Sequence, residues 1–250
     1  MARYQIILAY DGTGFAGSQR QGKARTVQSE LEKALRSLGW TGTSVLMAGR
    51  TDAGVHALGQ VAAFDLAWRH SLSELRNALN ATLPSDMAVR QVICTTDEFH
   101  PRFDARSRRY RYRLFCREVR DPLQERYAWR VWPPVTDLTP LASLWIGTHD
   151  FAAFGSPTSP KGRTVRTVFD ATWQQQEESW TFEIEADAFL YRMVRRLVFL
   201  QVAVGQGRLS SEALRQTLEH PEAGTLLLPG GLAPAAGLTL IEVKYDLEIE

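Results

Sequence analysis

Gly49-Arg50-Thr51-Asp52-Ala53-Gly54-Val55-His56-Ala57 is the stretch on which the reading of this chain turns. Within nine residues it places an arginine and a carboxylate between two glycines and an imidazole just beyond the second. Glycine reaches backbone conformations other residues avoid and lets a partner's backbone come close, so Asp52 is expected in a tight turn with little beside it to block access. An aspartate in such a turn also commonly bonds its own downstream backbone, and the stretch by itself allows that purely structural role. The flanks add to it. Ser44 to Ala48 reads as a short strand leading in, and Gly59 to Leu66 as a strand leading out. Asp52 is thereby expected on a loop between two strands, where a rigid sheet can hold a reactive group.

Upstream, Tyr4 to Tyr10 is a strand whose continuous apolar run suits burial on both faces. Asp11-Gly12-Thr13-Gly14 is turn chemistry, and Phe15 to Arg25 a polar, basic loop. Thr26 caps a helix with Val27, Leu31, Ala34, Leu35 and Leu38 on one stripe, ended by Gly39. Downstream, Ser71-Leu72-Ser73-Glu74 matches a capping box, with Leu72, Leu75 and Leu79 forming the inner face of the helix it opens. A strand over 88–94 follows. The segment 121–138, rich in proline and aromatics without a clear period, is taken as the connection between an N-terminal half (1–120) and a C-terminal half (139–250). In the latter, a helix is expected over 139–146 and loop from Gly147 to Gly162. Strands at 163–173 and 179–186 form a hairpin, and helices at 189–204 and 211–218 and a strand at 238–245 complete the chain.

Composition bounds the function. With 250 residues, 44% hydrophobic and 23% charged, the chain has the make-up of an ordinary soluble globular protein. Arg3 and Asp11 bracket the apolar run near the start, so neither a signal peptide nor a membrane span fits. Cys94 and Cys116 are too few for a disulfide framework and lack metal-site spacing, which makes a reducing cytoplasm the simplest location. Net charge is only +1, yet eight arginines lie between Arg102 and Arg120, while acids gather at Glu177 to Asp187 and Asp246 to Glu250. This asymmetry points to a basic face on a neutral protein, and arginine's planar fork suits phosphates. In Arg106 to Cys116 the alternation of a strand sends Arg109, Arg111 and Arg113 one way and Tyr110, Tyr112 and Leu114 the other. The apolar helix at 189–204 carries Arg192, Arg195 and Arg196 around its circumference. A buried guanidinium calls for a carboxylate, and Asp52 is the partner chosen, with a snorkelling arginine as the alternative.

The opening nine residues resemble the GRTDAGVHA signature of the TruA family of tRNA pseudouridine synthases. Other segments agree in order. Tyr10-Asp11-Gly12-Thr13 with Gly17 and Gln19-Arg20-Gln21 is similar to the family's YDGT and GWQRQ segment. Phe99 to Phe103 and Ala105 to Tyr112 resemble FHARF and ARRYRY. Asp150-Phe151 with Phe154, Arg163-Thr164-Val165, Phe189 with Met193-Val194-Arg195, and Gly237-Leu238 also fall in family order.

The resemblance implies an α+β fold: two ferredoxin-like halves forming one mixed, mainly antiparallel sheet, with helices on one face and a central basic cleft. It implies an isomerase that converts uridine to pseudouridine at positions 38, 39 and 40 of the tRNA anticodon stem-loop, working as a homodimer without cofactor or metal. Matched residue by residue, Asp52 is the catalytic nucleophile, Tyr110 stacks on the target base, Arg195 pairs with Asp52, and Arg50 helps hold the nucleotide out of its stack. Gln19, Arg20, Arg106, Arg108 and Arg109 are then candidate RNA contacts, with Arg111 and the rest of the loop to Arg25. The residues leave open whether Asp52 attacks C1′ of the ribose, attacks C6 of the base or abstracts a sugar proton. Ser18 stands where the family usually has Trp, Asp187 where it has Asn, and Phe199 where it has Gly. A non-catalytic tRNA-binding or RNA-chaperone protein and a hydrolase using Asp52 with His56 are the rival readings, and His56 itself reads as a loop hydrogen-bonder.

Overall fold

In the computed structural model of the chain, which describes residues 1–157, 159, 162–221 and 228–246, the backbone groups into two compact units. One comprises Met1–Arg106 and the chain from Thr239 onward, the other Ser107–Leu238. Part of the Gly/Ser/Pro-rich stretch before Gly162 and the acidic residues after Asp246 lie outside the described residues. Ten strands in mainly antiparallel pairing and five α-helices among those residues make this an α+β protein, as expected.

The first unit begins with β1 (Ala2–Tyr10), α1 (Val27–Ser37), β2 (Leu46–Met47), β3 (His56–Leu66), α2 (Leu72–Thr82) and β4 (Met87–Thr95). Both helices start where their caps dictate. Thr26 accepts from the Ser29 N–H while Ser29 bonds back, and Ser71 and Glu74 form the same reciprocal box. β1 pairs antiparallel with β3 on one side and β4 on the other, and β2 pairs with the far edge of β3. Strand order β4-β1-β3-β2 with helices after β1 and β3 is the ferredoxin-like arrangement. β10 (Leu238–Tyr245) runs parallel to β3 on the same edge as β2, Thr239 opposite His56.

Two expectations are corrected. β1 is covered fully on one face and only in part on the other: Tyr4, Ile6, Leu8 and Tyr10 are buried, while of the alternate set Gln5 is buried and Ile7 and Ala9 are half-buried. Its apolar run exceeds what its burial uses, because strand periodicity sends alternate residues to the other side. Leu72, at the first position of α2, is exposed, and Leu75 and Leu79 alone form its buried stripe.

The second unit holds β5 (Ala105–Cys116), β6 (Trp129–Val131), α3 (Thr139–Ala142), β7 (Gly147–Asp150), β8 (Val165–Gln176), β9 (Ser179–Ala186), α4 (Met193–Gly205) and α5 (Ser211–Glu219). Its strands run β5-β9-β8-β7, each pair antiparallel, and β6 lies parallel beside β5. In chain order β5, α3, β8, β9 and α4 repeat the succession of the first unit, with β10 following. The helix expected over 139–146 is one α turn continued as a 3-10 turn, and Gly147–Asp150, expected as loop, is a strand on β8. α4 starts at Met193 and not Phe189, since Tyr191 bridges to Ser156 and Arg192 takes φ 63° in the left-handed region. Its buried Gln201 accepts from Trp173 Nε1 at 2.8 Å and seats the helix on β8.

The β5–β9 pairing sorts side chains by face as the alternation predicts. Tyr112 and Leu114 face Phe182 and Trp180 in the core. On the opposite face Arg109 stands across from Glu185 and Arg111 from Glu183. Arg109 donates to Glu185 at 2.6 and 3.1 Å, Arg111 Nε to Glu183 at 2.7 Å, and Ser107 Oγ donates to Glu185 at 2.6 Å. These arginines are matched by glutamates on the neighbouring strand. Glu185→Ala leaves Ser107 and Arg109 without this buried acceptor and is expected to lower unfolding free energy by about 1–3 kcal/mol in urea titrations.

Candidate active site

The loop from β2 to β3 is anchored on each side of Arg50. Upstream, the Gly49 carbonyl accepts from the buried Gln60 Nε2 at 3.1 Å. Downstream, Thr51 Oγ1 and Tyr10 Oη share a buried hydrogen bond of 2.9 Å, and Gln60 Nε2 reaches the same Tyr10 hydroxyl at 3.4 Å. The Thr51 N–H donates to Ser18 Oγ at 2.8 Å, and the Ser18 N–H returns a bond to the Thr51 carbonyl at 3.1 Å. A turn follows at once, closed by the Val55 N–H on the Asp52 carbonyl at 3.1 Å, with Gly54 at φ 80°. Its third position needs positive φ, which is what glycine supplies. Asp52, first residue of the turn, is half-buried, while Arg50 and Ala53 are exposed.

Three side chains outside the motif therefore fix the backbone next to Asp52, and sequence reasoning named none of them as part of the site. Their placement follows from the strands. Pairing along β1 shifts between Leu8, opposite Gln60, and Tyr10, opposite Ala57. Such an irregularity re-aims the following side chain, and here Tyr10 reaches Thr51. Burial pushes the Tyr10 phenol's pKa upward, so the hydroxyl stays protonated. Its ring meets Phe15 edge-on at 6.2 Å, and Arg25, paired with Asp86 through two bonds of 2.8 Å, lies 4.2 Å over the Phe15 ring.

His56 supports the loop. Its Nδ1 accepts from the Gly12 N–H at 3.0 Å, which requires that nitrogen unprotonated, while Asp11 Oδ1 lies 3.2 Å from the same atom and would pair only with a ring that carries a proton there. The Gly12 bond prevails, because a main-chain donor is fixed, and Asp11 already accepts from Thr13 N and Oγ1 at 3.0 and 2.6 Å. Gly12 must be glycine here: a Cβ would sit 2.0 Å from the Val55 carbonyl oxygen.

In the second unit, Tyr110 on β5 is half-buried and meets Phe189 edge-on at 5.2 Å. Arg195, in the first turn of α4, donates from Nε to the Ala233 carbonyl at 2.8 Å. Its charge opposes the rise that burial imposes on the Tyr112 phenol's pKa. Arg196 is half-buried and donates to the Pro229 and Gly231 carbonyls at 2.6 and 3.0 Å, and Arg192 is exposed. Main-chain carbonyls thus take up part of the demand for which the sequence called on a carboxylate.

Of the candidate RNA contacts, Gln19 and Arg20 are exposed, and Arg20 also bonds the buried Glu32 at 2.6 Å. Arg106 pairs with Asp246, Arg108 donates to the Asp187 carbonyl at 2.8 Å, and Arg109 holds Glu185. The Asp187 carboxylate accepts from the Thr167 and Ala188 N–H groups at 3.1 and 2.6 Å, work that needs an acceptor alone. Phe199 packs its ring on Gly231, where a Cβ would fall 2.4 Å from it. Among the described residues no three His, Cys, Asp or Glu side chains cluster so as to hold a metal ion, and no helix is long and apolar enough to cross a membrane.

Comparison with known proteins identifies the family. The profile described as tRNA pseudouridine synthase matches residues 6–104 and 141–246. Curated relatives called tRNA pseudouridine synthase A are similar along most or all of their length. That of Thermoanaerobacter sp. strain X514 is 38% identical over 247 residues, covering 98% of this chain and 100% of the relative. That of Chloroflexus aurantiacus strain J-10-fl is 40% identical, covering 98% and 89%, and that of Methylacidiphilum infernorum 41%, covering 99% and 97%. A chain of a solved Cbf5-Nop10-Gar1 complex gives a TM-score of 0.35 at 12% identity over 80% of this chain and 45% of that one, too slight a likeness to bear on the fold. The chain belongs to the TruA family of tRNA pseudouridine synthases. It is an isomerase of uridine in tRNA.

Two outcomes follow from the loop's anchoring. Ser18→Ala strips the acceptor from the buried Thr51 N–H and is expected to cost about 1–3 kcal/mol in urea unfolding. Hydrogen bonds from Arg25 hold the Asp86 carboxyl below its usual pKa. A depressed folded-state value makes this stabilisation complete above the ordinary aspartate range and lost as pH falls through the folded value. The Tm advantage of the native protein over Asp86→Asn is therefore expected to be greatest near neutrality and to diminish progressively as the pH falls below the ordinary aspartate range.

Proposed function

We propose that Asp52 is the catalytic nucleophile and that the protein modifies uridines 38, 39 and 40 in the anticodon stem-loop of tRNA, as a cytoplasmic homodimer. The observation that carries the catalytic part is the loop itself: a half-buried carboxylate at the first position of a turn whose preceding residues are bonded to Ser18, Tyr10 and Gln60. The substrate position and the dimer are supported by the family resemblance.

Pseudouridine forms when the N1–C1′ bond breaks, the uracil turns and C5 joins C1′. No atoms enter or leave, so the chemistry asks for a positioned carboxylate and a held base. Ionised Asp52 has three available roles: attack on C1′, attack on C6, or abstraction of the sugar proton whose loss gives a glycal. In the proposed complex Arg195 supplies the cation that favours the ionised carboxylate. Extruding the target nucleotide from its helix costs on the order of a few kcal/mol. Tyr110, stacking on the base, offsets part of this, at roughly 1–3 kcal/mol per stacked base. Arg50 helps keep the nucleotide out of its stack. Gln19 and Arg20 contact the RNA backbone, joined by Arg106, Arg108 and Arg109, whose guanidinium groups each carry five donors.

Tritium release from C5-labelled uridine in unmodified tRNA, without added cofactor, tests the reading. Native protein is expected to release tritium, and Asp52→Asn to bind tRNA without releasing any. Release by Asp52→Asn at the native rate removes Asp52 from the mechanism. Mapping the modified nucleotides in the same sample tests positions 38 to 40.

A further inference from the structure

The loop over 97–104 presents an aromatic ring to solvent and holds it in place. Phe103 is 75% exposed, more than any other aromatic side chain among the described residues. The loop beneath it is anchored at its base. Phe99 is buried with its ring edge-on to Tyr245 at 5.2 Å, and Tyr245 Oη donates to the Pro101 carbonyl at 2.8 Å. Arg3 donates to the carbonyls of Asp97 and Phe99.

Around the tip, His100 organises the backbone. Its N–H donates to Asp104 Oδ2 at 2.8 Å, its carbonyl accepts from the Phe103 and Asp104 N–H groups, both at 3.1 Å, and its Nδ1 accepts from the Arg102 N–H at 3.1 Å. The imidazole then lies against the Phe103 ring, centroids 4.3 Å apart and planes tilted by 37°. The Arg102 guanidinium carbon is 5.8 Å from the ring centroid.

A phenyl ring backed on one side, open over most of its surface and flanked by a cation has the features of a platform for a nucleobase. Stacking accepts any base through its π-face, and the arginine adds attraction for the neighbouring phosphate. The rim of the ring is His100, Arg102 and Asp104. A protein interface core draws on further apolar side chains and is depleted of charge, so this rim favours RNA over a second copy of the chain. We infer that Phe103, with Arg102, forms a stacking contact for an unstacked nucleotide of the tRNA substrate other than the target uridine. The inference rests on the proposed tRNA substrate and deepens it.

Steady-state tritium release and direct binding of unmodified tRNA test it together. The exposed ring contributes little to the core, so Phe103→Ala is expected to fold as the native protein does, which circular dichroism checks. Its KM and Kd for tRNA are expected to rise on the order of 5- to 100-fold, with kcat at saturating tRNA unchanged. Phe103→Tyr is expected to restore binding and Phe103→Leu to fail, since leucine keeps apolar bulk but has no π-face. Irradiation of the native complex at 254 nm is expected to give a nucleotide adduct at residue 103 by mass spectrometry. Native KM and Kd in Phe103→Ala, or full binding by Phe103→Leu, overturn the platform. So does a shift of the monomer–dimer equilibrium in sedimentation velocity with monomer affinity for tRNA unchanged, which makes the surface a contact between copies. If the native protein releases no tritium yet Phe103→Ala loses tRNA affinity, the catalytic reading fails and the platform stands.

Discussion

The buried hydrogen bond between Tyr10 Oη and Thr51 Oγ1 ties the reactive loop to the sheet that carries it. A loop left to itself samples many conformations, and fixing one residue's backbone costs roughly 1–2 kcal/mol. Here the cost is met during folding. The core buries alternate residues of β1 and so sets Tyr10 at the strand's end, where a register shift turns it toward Thr51. Gln60, three residues beyond the part of β3 that pairs with β10, reaches both Tyr10 and Gly49. Ser18 closes the arrangement from the other side with a reciprocal pair of bonds. The backbone that carries Asp52 is thus held on both sides of Arg50 by contacts that the hydrophobic core of the unit sets in place.

The same economy of faces governs the second unit. β5 carries an aromatic row into the core, and the arginine row this forces outward would repel itself if left bare. Glu183 and Glu185 stand across from Arg111 and Arg109 and remove that repulsion. Part of the positive charge that reads in one dimension as a nucleic-acid face is therefore paired, in three, with glutamates of the neighbouring strand.

Much of this was legible from local chemistry. The capping boxes at Thr26 and Ser71, the β8–β9 hairpin and the inward course of Tyr112 and Leu114 follow from short-range preferences, and they hold. What failed depended on contacts distant in sequence. Gly147–Asp150 has no strand pattern of its own and is a strand because β8 offers an edge. Phe189 to Arg192 is apolar enough to extend α4, yet a bridge from Tyr191 to Ser156 and the left-handed Arg192 stop it. The motif announced Asp52 through its glycines, whereas Tyr10, Ser18 and Gln60 sit 8 to 42 residues away from it and carry no local mark. One signal was available and unused: Glu183 and Glu185 repeat at the strand period that Arg109 and Arg111 also show.

Ser18 shows what a departure from a family's usual residue can mean. A tryptophan at this position offers one N–H donor and no acceptor, so it has nothing to give the Thr51 N–H. In this chain the hydroxyl of a side chain only 1% exposed takes that role, and the loop gains an anchor one residue before Asp52. The bulk of an indole is missing, but the buried space around Ser18 is bounded by its own main-chain bonds to Thr51 and Gln28 and does not require it. Where an indole would offer bulk and a donor, serine offers an acceptor, and the gain is a hydrogen bond to the loop that carries Asp52. A substitution that looks like a weakening when read against a motif is, in the structure, a change in where the constraint is applied.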